Sequence, residues 1–237
     1  MERQGIVSQK DGPLTAILRC WLDLRRIRET SDVCEPVDFA FAHCISPFQD
    51  RSELVEFMRI VASFKPRTCL EIGTAAGGTL FVLCRVSDPR ATVISIDLPR
   101  GRFGAGYHPI KIPLYRSFAA RGQSLHLLRE DSHQPVTLCR VKRILRGRPL
   151  DYLFLDGDHT YEGVRQDFEV YSPLVRKGGI VAFHDIARFC GDSALAGSKR
   201  CGGEVPRFWD EVKTAHKCQE IVSRPEVGGY GIGILWL

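Results

Sequence analysis

No apolar run in this chain approaches the length of a bilayer-spanning helix, and the start, Met1-Glu2-Arg3-Gln4, lacks the basic-then-apolar layout of a secretory signal. The nine cysteines form no framework: they stand at 20, 34, 44, 69, 84, 139, 190, 201 and 218, an odd count without any CxxC pair. Cys69 and Cys84 lie inside apolar stretches, where a free cysteine behaves as a small buried hydrophobe. These absences argue against a membrane span, a disulfide scaffold and a zinc cluster. A soluble, cytoplasmic protein is the expectation. Internal repeats and low-complexity tracts are missing as well.

What is present is ordinary globular chemistry, with 237 residues, 44% hydrophobic and 26% charged. Such a chain can bury a sizeable core in one α/β domain with a terminal extension. The net charge of +5 is mild. Its densest patch, Arg140, Lys142, Arg143, Arg146 and Arg148, is interleaved with Leu138, Val141, Ile144 and Leu145 at helical spacing. That pattern reads as the solvated face of an amphipathic helix, with a nucleic-acid surface as the alternative.

Residues 1–12 read as disordered. Pro13 opens a helical pattern running to about Arg28, and 29–50 shows no clear period. A second helix follows, with Leu54, Phe57, Met58 and Val61 on one face, and Pro66 ends it. From there, short β-branched and aromatic runs at 68–72, 92–97, 125–129, 151–156 and 179–184 alternate with helical patterns near 78–86, 113–121, 136–146 and 161–176. A helix near 204–216 precedes strands near 219–223 and 230–236, with Pro225 and Gly228-Gly229 between them suggesting an antiparallel pair. The expected fold is α/β: a doubly wound, seven-stranded, mostly parallel sheet with an antiparallel last strand. Residues 1–49 form an N-terminal extension with one helix, and 50–237 the main domain. The helix bearing Trp21 covers the site, pairs with another subunit or packs on its own sheet.

The first strand ends in Glu71-Ile72-Gly73, and Thr74-Ala75-Ala76-Gly77-Gly78-Thr79 leads into a helix. Ligands of doubly wound sheets bind at the carboxyl ends of strands, where glycines let the backbone approach closely. A dinucleotide site wants G-x-G-x-x-G, but the spacing here is G-x-x-x-G-G. Glu71 is also poor company for a phosphate and good company for a cationic methionyl group. Asp97, followed by Leu98, closes the second strand, where an acid can accept from both ribose hydroxyls. Glu130-Asp131-Ser132 follows the third strand, placed for an adenine amino group. The alternative for Asp97 and Asp131 is capping of the segments after them.

This order of strand-end acids resembles the class I S-adenosylmethionine-dependent methyltransferases, over about residues 50–237. Within that class, Asp97-Leu98-Pro99 with the Gly101–Tyr107 loop, Leu155-Asp156-Gly157-Asp158-His159-Thr160-Tyr161-Glu162-Gly163-Val164, Phe183-His184-Asp185-Ile186 and Val205-Pro206-Arg207-Phe208-Trp209 resemble a bacterial group. That group includes macrolide sugar O-methyltransferases and cephalosporin hydroxylase-like proteins. The resemblance implies S-adenosylmethionine held by Glu71, Gly73, Thr74, Gly77, Gly78, Thr79, Asp97, Leu98, Asp131, Ser132 and Asp156. The sheet of such relatives ends in an antiparallel hairpin.

Methylating an alcohol requires a methyl donor and an oxygen relieved of its proton. A divalent metal can lower the hydroxyl's pKa and align it. By resemblance to catechol and macrolide-sugar enzymes, Asp156 and Asp185 are metal ligands, and His159 matches the general base. A neutral imidazole suits that task, since its ordinary pKa lies near working pH. His184 occupies a position where metal-dependent relatives carry an acid. Imidazole favours manganese, iron or zinc over magnesium, so either the metal differs, the site is looser, or His184 acts on the substrate directly.

The expected activity is O-methyl transfer to a small-molecule acceptor, a sugar or other metabolite, with no nucleic acid or membrane as partner and with a homo-oligomer as one arrangement. Two other classes stand beside it. A nucleic-acid methyltransferase would place an N/D-P-P-Y loop where Asp156-Gly157-Asp158-His159 stands. An accessory protein would bind the cofactor without transferring methyl. The Gly101–Tyr107 stretch reads as either a mobile flap or a plain connection.

Overall fold

In the computed structural model, which describes residues 12–24, 27, 32–99, 108–188, 203–224 and 230–237, the strand–helix alternation closes into one seven-stranded sheet. Its strands are β1 (Thr68–Ile72), β2 (Thr92–Ile96), β3 (Ser124–Leu128), β4 (Leu150–Leu155), β5 (Val175–His184), β6 (Lys217–Ile221) and β7 (Ile232–Trp236). They lie in the order β3-β2-β1-β4-β5-β7-β6. All neighbours pair in parallel except β7, which runs antiparallel to both β5 and β6. The doubly wound expectation holds, including the antiparallel last strand. β1 stands where expected, and the ends of the other strands move by at most four residues.

β1 and β2 are buried at every residue because helices cover both faces. Period-two alternation divides them between two cores. On one face Cys69, Val93, Tyr152 and Phe154 pack with α2 (Cys34–Ala42), α3 (Arg51–Phe64), α4 (Gly78–Val86) and α5 (Ile112–Arg116). On the other, Leu70, Ile94, Leu153 and Phe183 pack with α6 (Pro135–Leu145), α7 (Tyr161–Tyr171) and α8 (Val205–Val212). Strand order reverses between β1 and β4, which opens a crevice at their carboxyl ends.

The N-terminal extension departs from its expected form. Besides α1 (Pro13–Leu24) it contains α2, so the extension holds two helices rather than one. α2 reads Cys-Glu-Pro-Val-Asp-Phe-Ala-Phe-Ala, and Pro36, Val37, Phe39 and Ala40 are all buried. Its exposed stripe is only Glu35, Asp38 and Ala42, two charges in nine residues, so the sequence there has little period. α1 does the opposite: Leu14, Leu18, Trp21 and Leu22 are exposed, and only Cys20 and Leu24 are buried. Its described span is Pro13–Leu24, and most of the expected continuation to about Arg28 lies outside the described residues.

Three helical expectations shorten. The 113–121 pattern becomes α5, preceded by a 3-10 turn at Pro109–Lys111. The 161–176 pattern ends as α7 at Tyr171, because Pro173 lacks the N–H to continue it. The 204–216 pattern ends as α8 at Val212, before a 3-10 turn at Lys213–Ala215. On α6, Val141 and Leu145 are buried while Arg140, Lys142, Arg143, Arg146 and Arg148 are exposed around and beyond it. The disordered start, the Gly101–Tyr107 stretch and the Pro225 to Gly229 connection lie outside the described residues. No described helix is long and apolar enough to cross a membrane.

Candidate active site

The glycine turn after β1 is built by close approach. Gly73 has φ +90°, and a Cβ there would lie 2.0 Å from the backbone oxygen of Asp156. Only glycine fits. Ala75 also adopts a left-handed φ of 46°. This turns two successive amides, those of Thr74 and Ala75, onto Asp97 Oδ2 at 2.8 and 2.7 Å. Burial raises the Asp97 carboxyl above its ordinary value against the pull of those amides. Gly77, at φ +97°, leads into α4, and the Tyr115 hydroxyl donates to the Ala76 carbonyl at 2.9 Å.

Glu71 was expected to face the cofactor, but it lies beneath the turn, 1% exposed. Its Oε2 accepts from Thr74 Oγ1 at 3.3 Å and Ser95 Oγ at 3.2 Å. Burial pushes its carboxyl up to about 8, with hydrogen bonds from Thr79, Ser95 and Thr74 opposing the rise. Thr74 and Thr79 are buried with it, so this group supports the turn from below. Leu98 is exposed beside Asp97. Asp131 directs both carboxylate oxygens into its own turn, accepting from His133 N at 2.9 Å and Gln134 Nε2 at 3.2 Å. The Ser132 carbonyl accepts from the Tyr171 hydroxyl at 2.7 Å.

Across the crevice the chemistry changes. β4 delivers Asp156 and β5 delivers His184 and Asp185, with Asp185 held at φ +61°. His184 Nδ1 lies 3.2 Å from Asp156 Oδ1 and 3.3 Å from Asp185 Oδ1. His159 sits between the same two acids, Nε2 3.5 Å from Asp156 Oδ1 and Nδ1 3.1 Å from Asp185 Oδ2. One ligand atom each from Asp156, His184 and Asp185 can be chosen so that all lie within 4.8 Å of one another. The four residues expected from sequence therefore do meet. His184 Nε2 is buried with no partner in this geometry.

The protonation of His159 differs from the neutral imidazole expected. Burial works against its charge, but hydrogen bonds to Asp156 and Asp185 outweigh it and push the imidazole up to about 10. Its neighbour His184 is likewise raised well above its ordinary value, burial being overcome by Asp185 and Asp156. Both carboxyls fall below theirs: burial raises them, and His184 and His159 outweigh it. Asp158 takes a local role, its Oδ1 accepting from Thr160 N at 2.9 Å beside the Thr160 cap of α7.

Two features went unseen in the sequence. Gln49, from the extension, donates Nε2 to Asp156 Oδ2 at 2.6 Å. His133 Nε2 lies 3.4 Å from the buried Asp167 Oδ1 and 3.2 Å from the Gly163 carbonyl. Aperiodic residues carry no signal for contacts this distant in sequence.

Residues 70–186 match the model of a family described as a methyltransferase domain. That segment is a methyltransferase domain, and the sheet around it has the class I strand order. The fold of the domain also matches solved structures. A putative caffeoyl-CoA O-methyltransferase from Staphylococcus aureus is 17% identical with a TM-score of 0.59, covering 92% of this chain and 98% of that one. MycE from mycinamycin biosynthesis, crystallised with Mg, S-adenosylhomocysteine (SAH) and mycinamycin VI, is 18% identical with a TM-score of 0.56, covering 87% and 54%. At these identities the likeness is one of fold. Among curated proteins, one from Acanthamoeba polyphaga mimivirus is 30% identical over 118 residues, 50% of this chain and 51% of its own length. One from Sinorhizobium fredii is 28% identical over 135 residues, 54% of this chain and 14% of its own. The chain thus spans about half of one curated relative and a small part of the other. Glu71, the glycine turn, Asp97, Asp131, Asp156, His159, His184 and Asp185 all fall inside the matched methyltransferase segment, and Gln49 falls outside it.

Proposed function

We propose that the chain transfers the methyl group of S-adenosylmethionine to a hydroxyl oxygen of a small molecule, a sugar or other metabolite, with a divalent cation assisting. The C–S bond of the sulfonium breaks as a C–O bond forms, and the hydroxyl proton must leave. The observation that carries the reading is the meeting of Asp156, His184 and Asp185 at the ends of β4 and β5, where one ligand atom from each lies within 4.8 Å of the others. Asp156, His184 and Asp185 would hold the cation, and a mixed oxygen–nitrogen set favours manganese or iron at least as well as magnesium. A bound cation lowers the hydroxyl's pKa and holds the oxygen in line with the methyl group.

The chain's own groups have separate tasks in this reading. Gly73, Gly77 and Gly78 shape the cofactor's turn by letting the Asp156 backbone, the Tyr115 ring and the Ile45–Pro47 segment close on it, and Asp97 receives the ribose. Thr74, Thr79 and Glu71 keep the turn in shape, while Leu98, Asp131 and Ser132 border the adenosine side. His159 handles the acceptor's proton. Both carboxylates beside it favour its charged form, so a cation shared by Asp156 and Asp185 would leave His159 free to take the acceptor's proton. Likeness of fold to MycE, crystallised with Mg, SAH and mycinamycin VI, supports a metabolite acceptor.

Manganese titration followed by electron paramagnetic resonance tests the cation without needing an acceptor. We expect stoichiometric binding in the wild type and its loss in Asp156→Ala. Turnover of an identified acceptor is expected to vanish on chelation and to return with manganese or iron. Full turnover after exhaustive chelation would leave His159 and His184 as a metal-free pair.

A further inference from the structure

Gln49 lies at the turn into α3, 107 residues from Asp156 in sequence, and is 5% exposed. Its amide has one settled orientation. The Asp156 carboxylate can only accept, so the nitrogen must face Oδ2, and it does so at 2.6 Å. The amide's other end, Oε1, is buried with no partner. A buried acceptor beside an acid is unfavourable as it stands, which points to a donor that arrives from outside the chain.

The surroundings narrow the identity of that donor. The segment leading to Gln49 closes on the glycine turn: a Cβ on Gly78 would lie 2.4 Å from the Ile45 carbonyl oxygen and 2.7 Å from Pro47 Cγ. Gly73, at the start of the same turn, touches the backbone of Asp156. Gln49 therefore stands where the glycine turn and the end of β4 converge. A group that satisfies a carboxylate and an amide oxygen together needs several donors, no acceptor and positive charge. A primary ammonium has all three properties. S-adenosylmethionine carries one on its methionyl α-carbon, whereas an acceptor hydroxyl offers a single proton.

We propose that Gln49 is a cofactor-binding residue: its Nε2 fixes Asp156, and its Oε1 accepts an N–H of the cofactor's α-ammonium. This rests on the reading of the domain as one that binds S-adenosylmethionine. It adds a contact from outside the matched segment and gives Asp156 a fixed rotamer for a second task.

Calorimetry on the full chain separates the contact from general damage, using SAH and 5′-methylthioadenosine, which lacks the amino-acid portion. Gln49→Met keeps length and removes the amide. We expect it to weaken SAH by about tenfold or more, with methylthioadenosine affinity within about twofold of wild type. Should the methionine variant not fold, Gln49→Ala repeats the comparison. Unchanged SAH affinity, or equal loss for both ligands, overturns the proposal. So does a fall in manganese affinity with SAH binding intact, which would make Oε1 a cation ligand. A wild-type chain that binds neither nucleoside would overturn the underlying cofactor reading, and this contact with it.

Discussion

The two sides of the crevice hold their acids in opposite ways. On the β1–β2 side, Glu71 is surrounded by hydroxyls and Asp97 by backbone amides, so each carboxyl is held by neutral donors. Burial raises both. On the β4–β5 side, Asp156 and Asp185 share two imidazoles, and both carboxyls fall below their ordinary values because those cations outweigh burial. Neutral donors fix shape, whereas paired charges leave groups ready to exchange protons or a cation. Under the proposed function, that difference would put the ribose contact on one side and the proton chemistry on the other.

Removing His159 is the most severe way to break that division. His159→Ala should lower turnover by about 10²–10⁴-fold while SAH affinity stays nearly unchanged. Full turnover in the variant, or a collapse of cofactor affinity, would erase the distinction between the sides. Asp97→Ala gives the converse with a smaller effect. SAH binding should weaken by about 1–3 kcal/mol as the ribose contacts go, and the unfolding temperature should drop because the Thr74 and Ala75 amides lose their acceptor. Calorimetry and thermal unfolding of one preparation measure both.

A third test sharpens the comparison through pH. Glu71 is pushed from 4.5 to about 8 in the folded chain by burial. The folded state therefore keeps a proton that the unfolded state releases, and stability falls as pH rises from about 4.5 through 8. Glu71→Gln, an uncharged isostere, should change little at pH near 5 and should remove that decline. His133 adds a decline of its own: hydrogen bonding to Asp167 lifts it from 6.5 to about 9, so its contribution is full below 6.5 and lost as pH rises through 9. Urea midpoints between pH 5 and 9 for the wild type, Glu71→Gln and His133→Gln measure the share of each, beside the loss that the raised His159 and His184 add. A flat wild-type profile contradicts both assignments.

The sheet was legible because buried parallel strands must be apolar and the helices between them must be amphipathic. The meeting of Asp156, His159, His184 and Asp185 was legible because strand ends in such a sheet share one edge. Glu71 was misjudged: a strand-end acid looks the same in sequence whether it faces the crevice or, as here, Thr74, Thr79 and Ser95. The charge on His159 was hidden because it depends on two carboxylates reaching both ring nitrogens, a matter of ångströms. α2 escaped because it is only nine residues long and its exposed stripe, Glu35, Asp38 and Ala42, carries just two charges, and Gln49 because a glutamine in an aperiodic stretch announces nothing.

Gln49 bears on where this protein can be cut and spliced. A fragment begun at residue 50, the boundary the sequence suggests, would discard the Asp156 anchor together with Val37, Ala40 and Ile45, which are fully buried in the core. The family match, starting at residue 70, leaves out still more. The smallest module that could be traded between relatives with its crevice intact therefore begins upstream of Cys34, before α2, where described contacts with the sheet's core already run. A chimera joined inside α3 would bring together a glycine turn and an Asp156 that had each lost the residue spanning them.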